Sequence, residues 1–479
     1  MDLGYKSNLN NIQQQKSTVI LESHFKHSRW IFISLCLYLL SQAFTIPIIG
    51  IGPWAMWLNL SDLAIGLMFL TLVVNFRHAK QSISSANDII FRLLGIIFFL
   101  ILASYIWYLI NLIDINSNGL RLGSYQIYRL IQFICIFGVT ARIPLTRERI
   151  DILRHIVEFV LIFVCLSVIL TFTQVIPLDM LTAHLPEGKS IAGHWSDYAR
   201  LTAFGGKGLG TISYNHAYVA AQITMLASLR IHLGLNKKVV LELLLLLLSL
   251  VTSFITESRA GFFGMLIFSA VYMFKKPVYT TVLISILASI FLCFTSITAF
   301  SNLDSLKLES VEGSIIERQT TLLDAGNAEN LSGRDSIWQD KVKYLYQENL
   351  RWIVGTGFGS AWDEGEDGGS AHMLFLHIII ENVIVGLLIF LFLFGNIIIY
   401  LQHYELGIKP IFWVTISLLV TSITQETFYP IPAQGHFIGF YLCSVAIALR
   451  KNIDVKISDK NSKIGSKYRN MASNKFGGY

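Results

Sequence analysis

Charge is what this chain has least of. Asp, Glu, Lys and Arg make up 14% of its 479 residues, against about 25% in an ordinary soluble domain. A chain this long with so few charges keeps many residues away from water. Cysteine is scarce as well. Cys36, Cys135, Cys165, Cys293 and Cys443 all fall inside apolar runs, which argues against structural disulfides and offers no metal-ligand spacing. They read as small apolar packing residues. No small-residue cleavage site follows the run Arg29–Gly50, so that run is expected as a retained helix rather than a cleaved signal. No internal repeat or low-complexity tract is present. The net charge of +6 does not point to nucleic acid, because the basic residues lie in short clusters between apolar runs rather than on a soluble domain.

What the chain has is apolar length. Apolar residues make up 53%, and a helix crosses the hydrocarbon core in roughly 20 of them. Twelve segments are predicted as spans: 30–49, 58–76, 89–113, 123–141, 155–176, 211–229, 239–256, 260–274, 278–298, 374–400, 410–427 and 435–450. The expected fold class is therefore all-α, a polytopic membrane protein of about twelve transmembrane helices. With the N-terminus inside, every inside segment carries Lys or Arg, whereas the outside turns 50–57 and 428–434 carry none. Both termini are then cytoplasmic. The organisation reads as an N-terminal segment 1–29, spans one to nine over 30–298 with an outside loop 177–210, an outside cap 299–373, spans ten to twelve over 374–450, and a basic tail 451–479 near anionic headgroups. The cap between spans nine and ten is too long for a bare connector, and Asp335–Leu350 within it is predicted helical.

The polar residues with chemical potential gather toward the outside. The second long loop ends in Gly355-Thr356-Gly357-Phe358-Gly359-Ser360, then Ser370-Ala371-His372 at the mouth of span ten. Glycines allow close backbone approach, and no βαβ unit surrounds the run, so it is not a dinucleotide fingerprint. His372 reads either as a base working near neutral pH or as a surface histidine at the headgroup level. Arg259, in the short turn Thr256–Gly261, runs against the inside bias. Its guanidinium suits a phosphate; the plain alternatives are an ion pair with Glu257 or a headgroup contact. Arg200 lies in the first outside loop, followed by Lys207. Arg334 follows Ser332, which has the look of a helix cap, and Arg334 alternatively only supports that cap. Asp62 begins span two and reads as its cap. His377 and Glu381 lie four apart on span ten, hence on one face. Glu381 is nine residues past His372, roughly 13 Å along a helix, and a carboxyl that deep needs a partner. Gln425 and Glu426 close span eleven on the same side.

These stretches together resemble the O-antigen ligase and O-antigen polymerase family of bacterial surface-glycan assembly. The resemblance rests on Ser258-Arg259-Ala260-Gly261, Ser332-Gly333-Arg334 with Trp338, the run Gly355–Ser360, Ser370-Ala371-His372, then Glu381 and Gly386, with Arg200 followed by Tyr214-Asn215. It extends from about span two to span twelve. The family usually has asparagine after the histidine, where this chain has Met373, and a small residue after the glutamate, where it has Asn382. The resemblance implies a metal-independent, inverting glycosyltransferase without a cofactor, in the inner membrane with its site on the periplasmic face. Its donor would be a glycan on undecaprenyl diphosphate, and its acceptor lipid A–core sugar or another lipid-linked repeat unit. Arg200 and Arg259 would hold the diphosphate, His372, as the catalytic residue, would activate or orient the acceptor hydroxyl, and Arg334, Glu381 and His377 are candidate supporting residues. A multi-pass transporter or flippase of lipid-linked glycans is the competing expectation.

Overall fold

The computed structural model describes residues 29–46, 48–50, 57–74, 83–112, 114, 117–173, 175–177, 180–181, 208–212, 216–234, 239–274, 334–346, 355–363, 371–405, 407–430 and 435–450. Among these, the architecture is helical: α1 (Arg29–Ser41), α2 (Leu60–Val74), α3 (Ser85–Ile110), α4 (Asn118–Thr140), α5 (Arg147–Phe172), α6 (His216–Leu233), α7 (Val239–Ile255), α8 (Arg259–Phe274), α9 (Arg334–Tyr346), α10 (Leu374–Tyr404), α11 (Pro410–Thr421) and α12 (Phe437–Arg450). The extended pairing among them is a two-residue ladder, Ile49–Gly50 against Trp57–Leu58. Four helices, α3, α4, α5 and α10, are long and apolar enough to cross a membrane. The others that fall on predicted spans are shorter or less apolar. The predicted span 278–298, most of both long loops, the two terminal segments, Ser332 and Arg200 lie outside the described residues.

Local signals account for many of the boundaries. Ser84, Ser117 and Thr146 each accept a hydrogen bond from the backbone N–H three residues on, capping α3, α4 and α5. Thr146 explains why α5 starts at Arg147 rather than at the predicted 155: its polar first two turns are helical, though too charged to count toward a span. Pro410 starts α11, where its missing N–H costs nothing. The Glu405 carboxylate accepts from the next two donors, Ile411 N at 3.0 Å and Phe412 N at 2.9 Å.

The layering follows from which helices are apolar all round. α6 and α12 are buried along nearly their whole lengths and form the centre. α3 and α10 lie outside, packed on each other, with Phe99, Leu388 and Phe392 more than half exposed. Apolar surface on this scale is consistent with a membrane protein. α8 packs on α6 and α11. Gly261 permits this approach, because a Cβ there would stand 2.4 Å from the Cβ of Ala220. Contacts between helix ends show the helices alternating in direction. Tyr108, Gly119, Leu374, Ser422, Glu426 and the start of α6 meet at one end. His232 meets Glu405, and Arg450 meets Ala141, at the other. The first end, where His372 lies, carries the candidate site.

Candidate functional site around a broken helix

The site begins with a defect in α10. Val383 has φ 65° and ψ 177°, a conformation that a β-branched residue rarely adopts. The break deprives the carbonyls just before it of helical donors, and a buried carbonyl needs one. Ile380 O accepts from Thr356 N at 3.3 Å and Thr356 Oγ1 at 3.0 Å. Glu381 O accepts from Ser104 Oγ at 2.9 Å. The glycine-rich run therefore enters the bundle and supplies part of the hydrogen bonding that the helix has lost. Ser104 Oγ in turn accepts from Phe358 N at 3.0 Å. Asp363 anchors the far end of the run, accepting from Gly119 N at 2.8 Å and from Tyr108 OH.

Inside this wrapping lie two carboxylates and two imidazoles. Glu381 is fully buried. Its Oε1 accepts from Gly359 N at 3.0 Å and lies 3.5 Å from His377 Nε2. Its Oε2 accepts from Tyr429 OH. Burial and the neighbouring carboxylate push the Tyr429 phenol well above its usual pKa, so it remains a donor. Asn382 Nδ2 donates to the same phenol oxygen at 2.8 Å. His377 packs against Tyr429 with ring centroids 4.5 Å apart and planes tilted by 54°, and its Nδ1 accepts from Ala371 N at 3.4 Å. That acceptor role puts the ring proton on Nε2, facing Glu381.

Glu426 is 1% exposed and stands between the two histidines. Its Oε1 is 3.8 Å from His377 Nδ1 and its Oε2 is 3.8 Å from His372 Nδ1. His372 sits at the mouth with its side chain 45% exposed and its backbone left-handed at φ 49°. Partial burial lowers its pKa from the ordinary value. Glu426 opposes that shift, while Arg334 and His377 add to it. A lowered pKa favours the neutral ring, the form that can act as a base.

The cap helix α9 closes over this mouth. Arg334 donates to Thr424 O, Trp338 Nε1 to Ala371 O at 2.9 Å, and the buried Lys341 Nζ to Ala361 O at 3.2 Å. Arg259 opens α8 and is half-buried. Ser258 caps that helix, accepting from Gly261 N at 3.0 Å. α8 reaches the same end of the bundle, since Gly264 abuts Thr421. No family model matches the chain, and neither a curated protein nor a solved structure is significantly similar to it.

The structure thus brings His372, His377, Glu381 and Arg334 around the segment that follows α11, with Arg259 on a helix packed against α11. Arg200 lies outside the described residues. Sequence reasoning placed Glu426 on this side but not between the histidines, and it overlooked Arg129. That arginine is almost wholly buried on α4. Asp62 Oδ1 accepts from Arg129 Nη1 at 2.6 Å, Gln132 Nε2 at 2.7 Å and Tyr128 OH at 3.2 Å, and His436 Nε2 lies 3.3 Å away. Asp62 also caps α2 as expected, accepting from Asn59 N at 2.7 Å. An arginine in the middle of the predicted span 123–141 was the available signal.

Between α3 and α10, at the break, lies a cavity of about 240 Å³. Its wall is mostly apolar. Ser104, Asn382 and Tyr429 supply its polar side chains, and the last two adjoin Glu381.

Proposed function

We propose that the chain is an inner-membrane glycosyltransferase of about twelve spans that moves a glycan from undecaprenyl diphosphate to a sugar hydroxyl at the periplasmic face. The observation that carries this reading is His372: a half-exposed imidazole at the mouth of the bundle, 3.8 Å from the buried carboxylate of Glu426. In the reaction, the acceptor hydroxyl oxygen attacks the anomeric carbon and its proton passes to His372. The bond from that carbon to the diphosphate oxygen breaks. Attack opposite the leaving group inverts the centre. Arg259 and Arg200 stabilise the charge that builds on the departing diphosphate, and Arg334 steadies the mouth. The apolar cavity between α3 and α10 gives the lipid carrier a lateral place beside the polar cluster.

The test is His372→Ala in a host that lacks the wild-type copy. Glycan transfer is expected to be lost while the protein still inserts in the membrane; normal surface glycan would sink the reading. Deletion of the chain separates the two acceptors. Bare core with polymer stranded on the carrier indicates a ligase, and core with at most one repeat indicates a polymerase.

One observation favours the transport reading. Asp62, Arg129 and His436 form a buried ionisable cluster across α2, α4 and α12, and such clusters serve as proton relays in pumps and transporters. Movement of lipid-linked glycan across proteoliposomes, coupled to a proton gradient and abolished by Asp62→Asn, would establish that reading instead.

A further inference from the structure

No residue of α10 dictates the break at Val383. The helix contains no proline, and its glycine nearest the break is Gly386, three residues on. Sharp kinks ordinarily have a local cause of that kind. Here the cause lies in the fold, because the run 355–362 is seated against the break. We infer that this run is a releasable latch over Glu381, and that α10 exchanges between the latched, broken helix and a continuous helix from which the latch has withdrawn. The inference does not depend on the reaction assigned to the His372 mouth.

Three observations carry it. Val383 holds φ 65° and ψ 177°, a strained state for a β-branched residue that persists only where its surroundings over-determine it. The carbonyls of Ile380 and Glu381 can be satisfied in two ways. With the helix broken, they accept from Thr356 N at 3.3 Å, Thr356 Oγ1 at 3.0 Å and Ser104 Oγ at 2.9 Å. In a continuous helix they would accept from the N–H groups of Ile384 and Val385, four residues on. Either arrangement satisfies these two carbonyls, which is what lets two packings of one segment lie close in free energy. The third observation is Gly386, which has no room for a side chain while the helix is broken. A Cβ there would stand 2.5 Å from Asn382 Cβ, whereas residues four apart on a continuous helix keep their Cβ atoms about 5–6 Å apart. Release changes the surroundings of Glu381. Gly359 N leaves Glu381 Oε1, and the fully buried Phe358 leaves its seat against Tyr105 and Tyr429. Tyr429 both donates to Glu381 and lines the cavity between α3 and α10, so release opens the buried carboxylate toward that cavity.

Two substitutions in α10 bias the exchange in opposite directions. Val383→Gly adopts the positive φ without strain and favours the latched state. Gly386→Ala collides with Asn382 in the latched state and strengthens the continuous helix. Hydrogen exchange of the full chain in detergent, followed by mass spectrometry, reads the latch without any activity. The amides of Thr356, Phe358 and Gly359 report it, because each donates a hydrogen bond when the latch is seated. Gly386→Ala is expected to speed exchange over 355–362 about five-fold or more. Val383→Gly is expected to slow it about five-fold or more. Exchange in the buried helix α6 should be unchanged in both. Equal protection of the latch in all three proteins, or faster exchange in Val383→Gly, would overturn the inference. Should Gly386→Ala loosen α6 together with the latch, its effect is global and Val383→Gly decides alone: slowed exchange upholds the latch, and exchange that is not slowed overturns it.

Discussion

Gly359 donates its backbone N–H to the buried carboxylate of Glu381, 22 residues later in the chain, at 3.0 Å. Through that bond, the glycine-rich end of the predicted cap becomes part of the helical bundle. The loop and the break in α10 depend on each other: the carbonyls released by Val383 need donors, and Thr356 and the loop-bound Ser104 provide them. The geometry of the His372 mouth rests on this seat, because His377, Glu381 and Tyr429 all meet there.

Gly357 is where the seat tolerates least. Its φ is 97°, and a Cβ would stand 2.6 Å from Tyr108 Cβ and 2.9 Å from Ser104 O, which are a side-chain root and a backbone atom that cannot rotate away. Gly357→Ala is expected to lower stability by about 2 kcal/mol or more and to unseat the loop. Gly395→Ala, where nothing lies within 4 Å of the new Cβ, should be neutral or slightly stabilising in its helix. Thermal melting of the two variants in one detergent checks the contrast.

Arg129 and Asp62 form an ion pair with both side chains at most 4% exposed. Removing one partner strands the other charge in a low-dielectric interior. Arg129→Met is expected to cost about 3–5 kcal/mol, and Arg129→Met with Asp62→Leu should recover a substantial part of that loss. If denaturant titrations gave strictly additive effects, the two side chains would not be coupled.

On the proposed glycan-transfer function, the acid limb of activity should report His372: its neutral form would be the base, and its pKa is lowered from the ordinary histidine value of 6.5. Activity is therefore expected to fall only as pH drops below about 6.5, through that lowered value. Arg334 contributes to the lowering. Arg334→Gln should shift the limb to higher pH, whereas Arg334→Lys, which keeps the charge, should leave it nearly in place. Initial rates across the acid range, measured for the three proteins, decide this.

Sidedness is open to a direct test. Asp340 on α9 has a side chain 76% exposed, and Asp151 near the start of α5 has one 48% exposed. They belong to opposite ends of the bundle. In a cysteine-free background, Asp340→Cys should react with a membrane-impermeant maleimide applied to spheroplasts, and Asp151→Cys only after lysis. The reverse pattern would invert the topology and remove the periplasmic site.

Among the described residues, the helical character of the apolar segments and the place of His372 just before α10 were legible in the amino-acid sequence, because apolar length and capping residues act within a few residues. The i,i+4 relation of His377 and Glu381 was legible for the same reason. Which charges meet was decided by the tertiary structure alone. Arg129 finds Asp62 and His436, Glu426 settles between His372 and His377, and Gly359 reaches Glu381 only once helices far apart in the chain have packed. A buried charge has to be paired because so little water reaches it, and that much follows from composition. The identity of its partner is set by how helices cross and by where a backbone breaks, and no local pattern of residues encodes either.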